Sequence, residues 1–171
     1  MPTRPARLTL VLGGARSGKS RHAEDIITAL PGPWVYIATA QAFDDEMRDR
    51  IAAHRARRAA NWNTVEAPVD LACALATAAG HPVLVDCLTL WLTNLLLGGH
   101  DVAAATAALD AALDARVAPA VLVANEVGLG IVPDNALARG FRDQAGLLNQ
   151  RMAARADSVL FLVAGLPMRV K

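Results

Sequence analysis

The chain has 171 residues, of which 54% are hydrophobic and 4% aromatic, and its formal net charge is +1. This length suits one domain with a substantial core, and a charge so close to zero gives no reason to expect nucleic acid or an anionic membrane as a partner. A membrane helix needs a run of about 18 apolar residues, and the sequence has none, so we expect a cytoplasmic protein without a membrane span.

The first predicted strand, residues 8–12, leads into a glycine-rich loop at residues 13–20 that fits the pattern G-x-x-x-x-G-K-[ST]. Between a strand and a helix, this pattern forms a phosphate-binding loop, in which backbone N–H groups and the helix N-terminus surround phosphate oxygens. Lys19 is expected to reach the outer phosphates, and the Ser20 hydroxyl can bind a metal ion. We therefore predict a nucleoside triphosphate site, with a glycine turn that matches by chance as the alternative.

The rest of the chain alternates between predicted helices and apolar strands. Helices are predicted over residues 21–30, 44–58, 68–79, 88–97, 101–117 and 136–156. Strands are predicted over residues 34–38, 62–66, 82–86, 120–124 and 158–164. Apolar strands separated by helices indicate a parallel sheet covered on both faces. The predicted fold class is α/β, a P-loop NTPase-like three-layer fold with a mostly parallel central sheet, formed by a single nucleotide-binding domain over residues 1–171.

Ligands of such sheets bind at the carboxyl ends of the strands. This edge should bring the phosphate loop together with residues 39–41, 86–89 and 125–126. Asp86 follows an apolar strand, where an acid commonly helps to hold Mg²⁺ beside a phosphate loop; the alternative is a helix cap. Glu126 is either a second acid near the phosphates or a structural residue that fixes the loop after it.

A histidine among arginines lies in the helix predicted over residues 44–58. His54 shares one helix face with Met47 and Ile51, and from this spacing alone a partly buried histidine is the simpler interpretation. The neighbouring arginines would instead lower the pKa of His54, keep its imidazole neutral and nucleophilic, and hold the phosphates of a nucleotide. A solvated helix end is the alternative for these arginines.

Three further side chains are ambiguous in the sequence. Glu66 ends a short predicted strand and is either a surface acid or an acceptor for the N–H groups of guanine. Cys73 and Cys87 have no metal-ligand spacing. Both cysteines stand in apolar surroundings, so we predict two buried thiols.

Together these motifs resemble one family, the bifunctional adenosylcobinamide kinase / adenosylcobinamide-phosphate guanylyltransferases of cobalamin biosynthesis. The resemblance covers about residues 8–171. Its most specific parts are the pattern Arg50-Ile51-x-x-His54-x-x-x-Arg58-x-x-x-Trp62 and the block at residues 125–133. The phosphate loop and residues 36–41, 44–47, 86–89, 93–96 and 142–150 also match.

The resemblance implies two reactions. A nucleoside triphosphate, ATP or GTP, phosphorylates the hydroxyl of the aminopropanol arm of adenosylcobinamide, and GTP then transfers GMP to that phosphate with release of pyrophosphate. The guanylylated histidine of the family falls on His54, and we expect Lys19 and Asp86 to be the other catalytic residues. Ser20 and Asp86 are the expected ligands of Mg²⁺. The family also implies a homo-oligomer, with a trimer favoured.

The nucleotide contacts implied by the resemblance fall on Gly13, Gly14, Ala15, Arg16, Ser17, Gly18, Lys19, Ser20, Thr39, Ala40, Gln41, Arg55, Ala56, Arg57, Arg58, Glu66 and Asp86. The chain departs from the family at two positions. Many members carry glutamate where this chain has Asp86, and some carry paired histidines where it has Ala53-His54. A monofunctional small-molecule kinase and a nucleotide-dependent regulatory subunit are the alternative functions.

Overall fold

The computed structural model describes residues 6–41 and 61–171. The helix predicted over residues 44–58, with His54 and the arginines around it, lies outside the described residues. The described strands are β1 (Leu8–Gly13), β2 (Trp34–Ala38), β3 (Trp62–Glu66), β4 (Val83–Asp86), β5 (Ala120–Asn125), β6 (Ser158–Val163) and β7 (Leu166–Arg169). The described helices are α1 (Lys19–Thr28), α2 (Leu71–Thr77), α3 (Leu88–Leu97), α4 (Val102–Ala115) and α5 (Ala136–Arg155).

The strands form one sheet in the order β3-β2-β4-β5-β1-β6-β7. All neighbouring pairs from β3 to β6 are parallel, and only β7 runs antiparallel, against β6. The chain order reverses beside β1, so the connections lie on both faces of the sheet. The predicted α/β class and the mostly parallel sheet are confirmed.

The central strands are buried on both faces because successive side chains point to opposite sides. Leu10 and its counterparts on one face join the larger apolar core, which includes residues of helices α2 to α5. Val11, Tyr36 and their counterparts on the other face join a second core with Ala23 and Ile27 of α1. This double burial explains why the strands are continuous apolar runs in the sequence.

Three helices begin at short polar residues that accept a hydrogen bond from the first turn. Asp70 caps α2, Asp101 caps α4 and Asn135 caps α5. Each cap satisfies a backbone N–H that has no acceptor within its own helix. The caps also explain why α2 begins at Leu71, three residues later than the prediction.

Two predictions are corrected by the fold. The strand predicted to continue to residue 164 ends at Val163, and a two-residue turn, Ala164-Gly165, leads into β7. Both turn residues have positive φ, 52° and 80°, as the tight turns of β-hairpins require. Cys73 was predicted to be buried and is exposed, because it lies off the face of α2 that carries the buried Leu71, Ala74 and Leu75. Cys87 is buried, as predicted.

No helix in the described ranges is long and apolar enough to cross a membrane.

Candidate functional site

The phosphate loop connects the end of β1 to the start of α1. Gly18, with φ 92°, precedes the helix, and no side chain caps the first turn of α1. The first-turn N–H groups of α1 can therefore donate hydrogen bonds to an anion, as in phosphate sites at helix N-termini.

The loop is tightly folded at its first residue. A Cβ on Gly13 would lie 2.5 Å from Oγ of Ser17 and 2.9 Å from the carbonyl oxygen of Leu162. Glu126 donates its N–H to the Gly13 carbonyl at 3.0 Å, and Gly165 donates its N–H to the Ser17 carbonyl at 2.9 Å. Strand β5 and the β6–β7 hairpin thus both hold the loop.

Lys19 lies within the loop rather than in solvent. Its side chain is buried, and Nζ donates a hydrogen bond to the Gly14 carbonyl at 2.8 Å. Burial lowers the pKa of Lys19, and the nearby Cys87 and Asp86 act in the opposite direction. The charge of Asp86 thus acts on Lys19; the assignment of both residues to one catalytic site stays a prediction.

Asp86 ends β4, paired in the sheet with Ala38 of β2 and Val123 of β5. Its Oδ2 accepts a hydrogen bond from the hydroxyl of Tyr36 at 2.8 Å. The N-cap residue of the following helix is Cys87, and no side chain caps it. The helix-cap alternative for Asp86 is therefore excluded.

Buried polar side chains fix the strand ends around Asp86. The Thr39 hydroxyl accepts a hydrogen bond from the Cys87 N–H at 2.8 Å and donates one to the Cys87 carbonyl at 2.7 Å. Asn94 donates to the carbonyls of Thr39 and Pro68, both at 2.8 Å. The segment that begins at Thr39 is thus fastened to the end of β4 and to the start of the α2 region.

A second pair of polar side chains fixes the end of β5. The hydroxyl of Thr89 accepts a hydrogen bond from the Asn125 N–H at 2.7 Å, and Asn149 donates to the Asn125 carbonyl at 3.2 Å. The sequence placed Thr89 at this edge without indicating its contact, and it indicated no contact for Asn94 or Asn149. The available signal was a polar residue on an otherwise apolar helix, as with Asn94 among the leucines of α3.

Glu126 takes the structural alternative of its two predicted roles. Its Oε1 accepts a hydrogen bond from the Gly128 N–H at 2.6 Å. A Cβ on Gly128 would lie 2.8 Å from the same oxygen. The carboxylate therefore stabilises the turn that follows β5.

Glu66 lies at the same edge of the sheet, at the end of β3, and its side chain is exposed. In the sheet order, β3 and β1 are separated by β2, β4 and β5, which corresponds to roughly 19 Å between their axes. Thr39, Ala40 and Gln41 follow the intervening β2. Glu66 is therefore far from the phosphate loop, on the side of residues 39–41.

The oxygen ligands near the loop fit Mg²⁺ bound together with a nucleotide. In the described part of the chain, no group of three or more His, Cys, Asp or Glu residues is arranged to hold a metal ion. Mg²⁺, however, is usually bound by one or two carboxylates together with substrate phosphates and water. The Ser20 hydroxyl and the Asp86 carboxylate are hard oxygen donors of this kind.

The other predicted site residues, His54, Arg55, Ala56, Arg57 and Arg58, lie outside the described residues. Their predicted roles therefore rest on the sequence.

A cavity of about 150 Å³ lies at the opposite edge of the sheet, where strands begin, and Arg7, Arg116 and Arg155 are among its lining residues. The charges there have structural partners. Arg116 is buried and donates to the carbonyls at the end of α2 and just beyond it, including those of Leu75 and Ala78. Burial lowers the pKa of Arg116. This cationic edge stabilises the fold and is separate from the phosphate loop.

Comparisons with known proteins identify the relatives of this chain. Residues 9–170 match the family model described as "Cobinamide kinase / cobinamide phosphate guanyltransferase". The chain is 51% identical over 166 residues to the "Bifunctional adenosylcobalamin biosynthesis protein CobP" of Pseudomonas aeruginosa, with 95% of this chain and 96% of that protein covered. It is 46% identical over 181 residues to the "Bifunctional adenosylcobalamin biosynthesis protein CobU" of Salmonella typhimurium, with 96% and 99% covered.

Among solved structures, the chain is similar in fold to a prototypical ATPase from the type III secretion system of pathogenic bacteria. The TM-score is 0.59 at 12% sequence identity, with 92% of this chain and 52% of that chain covered. At this identity the likeness concerns the fold alone.

Proposed function

The chain belongs to the cobinamide kinase / cobinamide phosphate guanyltransferase family, and we propose how its residues carry the two reactions of that family. It is a bifunctional enzyme of adenosylcobalamin biosynthesis, an adenosylcobinamide kinase and an adenosylcobinamide-phosphate guanylyltransferase. The observation that carries the assignment of residues is the position of Lys19 and Asp86 beside one phosphate loop, with Asp86 engaged by Tyr36 and not by the helix that follows.

In the kinase reaction, the loop holds the triphosphate of ATP or GTP. The hydroxyl oxygen of the aminopropanol arm attacks the γ-phosphorus, and the bond from that phosphorus to the β–γ bridging oxygen breaks. A nucleoside diphosphate leaves, and the hydroxyl proton passes to solvent. Lys19 leaves the Gly14 carbonyl to contact the outer phosphates, and Asp86 orients the attacking hydroxyl or the metal ion. Bound by Ser20, Asp86 and the phosphates, Mg²⁺ would offset the charge on the transferred group.

In the guanylyltransferase reaction, a ring nitrogen of His54 attacks the α-phosphorus of GTP and pyrophosphate leaves. The resulting N–P bond joins GMP to the protein. A phosphate oxygen of adenosylcobinamide phosphate then attacks the same phosphorus, the N–P bond breaks, and His54 is released with adenosylcobinamide-GDP as the product. Arg55, Arg57 and Arg58 would hold the phosphates and keep the imidazole neutral before attack.

The guanine end of the nucleotide, opposite to the triphosphate, would lie toward β3. Glu66 is exposed there and can accept two N–H bonds from guanine. Residues 39–41 lie between it and the loop, where the ribose and the α-phosphate would pass.

Self-association is part of the proposal, with a trimer favoured. Large apolar side chains are exposed on the segment after β5 and at the start of α5, where Leu129, Ile131 and Leu137 are 81%, 97% and 74% exposed. Where such exposed apolar side chains form a patch, that patch is typical of an interface with another protein. A second copy of the chain would cover it.

The guanylyl-histidine assignment is tested with GTP labelled at the α-phosphate. We expect acid-labile, alkali-stable label on the wild-type protein and on His100→Ala, whose histidine is exposed in the turn after α3. His54→Ala should carry none. Label that persists in His54→Ala would refute the assignment, and γ-phosphate transfer without any protein-bound label would favour the monofunctional kinase.

A further inference from the structure

Tyr36 and Asp86 lie on neighbouring parallel strands and on the same face of the sheet. In the register of β2 with β4, Tyr36 pairs with Leu84 and Ala38 pairs with Asp86. Tyr36 is thus two residues before Ala38, the residue that pairs with Asp86, and its long side chain spans this distance. The hydroxyl donates to Oδ2 of Asp86 at 2.8 Å.

The ring of Tyr36 is held in place by packing. Its side chain is 5% exposed and belongs to the core formed with Ala23 and Ile27 of α1. Trp62 contacts the ring edge to face, with centroids 6.0 Å apart and planes at 82°. Because a tyrosine ring has only two side-chain torsions, this packing also fixes the position of its hydroxyl.

A fixed donor constrains the carboxylate that it contacts. Tyr36 occupies Oδ2, and no hydrogen bond from another described residue reaches Oδ1 of Asp86. The carboxylate is therefore prevented from rotating freely about its terminal torsion. Packing alone does not require the hydroxyl, because phenylalanine would fill the same space in the core.

We propose that Tyr36 is a positioning residue for the kinase reaction: its hydroxyl holds Oδ2 of Asp86 so that Oδ1 faces the nucleotide and Mg²⁺ at the phosphate loop. This inference rests on the role given to Asp86 above. Residues that hydrogen-bond a metal-binding carboxylate commonly affect metal affinity as well as rate. Tyr36 acts through Asp86 and does not contact the reacting atoms.

The first experiment compares Tyr36→Phe with the wild-type enzyme. Affinity for a fluorescent, non-hydrolysable GTP analogue is measured with Mg²⁺ and with EDTA. We expect the Mg²⁺-dependent gain in affinity to fall about tenfold, with a similar loss in kinase kcat. The affinity in EDTA and the KM for adenosylcobinamide should stay unchanged. A matched control is Thr106→Val, which removes a buried hydroxyl that donates within α4.

The second experiment repeats Tyr36→Phe in the Asp86→Ala background, with single-turnover transfer of labelled γ-phosphate to detect slow reaction. If Tyr36 acts through Asp86, Tyr36→Phe causes no further loss of the transfer rate in the Asp86→Ala background. An equal loss in both backgrounds would overturn the inference in favour of a general structural role. If Tyr36→Phe keeps the wild-type Mg²⁺-dependent affinity and kinase rate while Asp86→Ala is inactive, the inference about Tyr36 is overturned and the role of Asp86 stands. Full activity in Asp86→Ala would refute the role of Asp86 and, with it, the inference.

A measurement on the native tyrosine keeps the inference testable if Tyr36→Phe unfolds. The chain contains one tyrosine, so protein labelled with ¹³C at the ring carbon that bears the hydroxyl gives a single NMR resonance. We expect this resonance to shift when Mg²⁺ is added to the nucleotide complex of the wild type, and not in Asp86→Ala. A resonance whose chemical shift does not change when Mg²⁺ is added to the wild type would contradict the proposal.

Discussion

Gly13 and Gly14 are adjacent in the phosphate loop, but only one of them lacks room for a side chain. A Cβ on Gly13 would lie 2.5 Å from Oγ of Ser17 and 2.9 Å from the Leu162 carbonyl oxygen, whereas a Cβ on Gly14 would have no neighbour within 4 Å. We therefore expect Gly13→Ala to distort the loop and Gly14→Ala to preserve it. The pair is a matched test because both variants add the same methyl group.

The cost of Gly13→Ala follows from which atoms must move. The Ser17 side chain can rotate, but the Leu162 carbonyl belongs to β6, which pairs with β1, so the backbone itself has to shift. Added methyl groups in such places cost about 1–3 kcal/mol. In a domain of this size, each kcal/mol lowers the unfolding midpoint by about 2–4 °C. Any part of this cost that arises only in the nucleotide-bound loop lowers nucleotide affinity instead of the unfolding midpoint, and the whole cost would correspond to about 5- to 150-fold.

Thermal unfolding and equilibrium binding of a fluorescent nucleotide measure the two effects. Gly14→Ala should resemble the wild type in both. Wild-type affinity and midpoint in Gly13→Ala would show that the loop does not pack against Ser17 and Leu162 as described. Equal losses in both variants would show that the loop is sensitive to any side chain, and the steric reasoning would fail.

Three further predictions concern the two cysteines and the buried Arg116. Cys73 should react with a thiol reagent in the folded protein and Cys87 only after denaturation, because Cys73 is exposed, Cys87 is buried, and burial raises the pKa of Cys87 to about 12. In the unfolded chain the Cys87 thiol ionises near its ordinary pKa of 9.0, so the free energy of unfolding should fall as pH rises above that value. Chemical denaturation of the wild type and of Cys87→Ala measures this effect. A free energy of unfolding that rises with pH in the wild type relative to Cys87→Ala would contradict the prediction. Arg116→Met should lower the free energy of unfolding by about 2–4 kcal/mol because buried carbonyls lose their donors. An unchanged urea midpoint would refute that role. The control is Arg142→Met, which removes an arginine that forms an ion pair with the exposed Asp143.

Much of the fold was predictable because the central strands are buried on both faces. Continuous apolar runs and the helices between them indicated the parallel sheet, and the glycine pattern located its ligand-binding edge. Strand β7 was missed because its four side chains are all exposed and it contains Pro167. Such an edge strand has neither the alternation nor the composition of a typical strand.

The position of Asp86 at a strand end on the edge of the sheet that carries the glycine-rich loop followed from the sequence, but the contacts that orient its carboxylate did not. The role of Asp86 required knowing which hydroxyl it meets, and Tyr36 reads as an ordinary core residue in the sequence. Glu126 had two open roles, and the 2.6 Å hydrogen bond to the Gly128 N–H supports the structural one. These outcomes depend on register and side-chain torsion, which periodicity does not specify.

The missed hairpin also bears on function, because it is one side of the phosphate loop. Its turn residue Gly165 donates to the Ser17 carbonyl at 2.9 Å, and a Cβ on Gly18 would lie 3.3 Å from Cα of Gly165. On the other side, the Glu126 N–H holds the Gly13 carbonyl at 3.0 Å. The glycine-rich loop is thus fixed between segments that follow β5 and β6, far from it in sequence. The glycine pattern supplies a loop able to surround phosphates, and the order of strands around β1 holds that loop in the required shape.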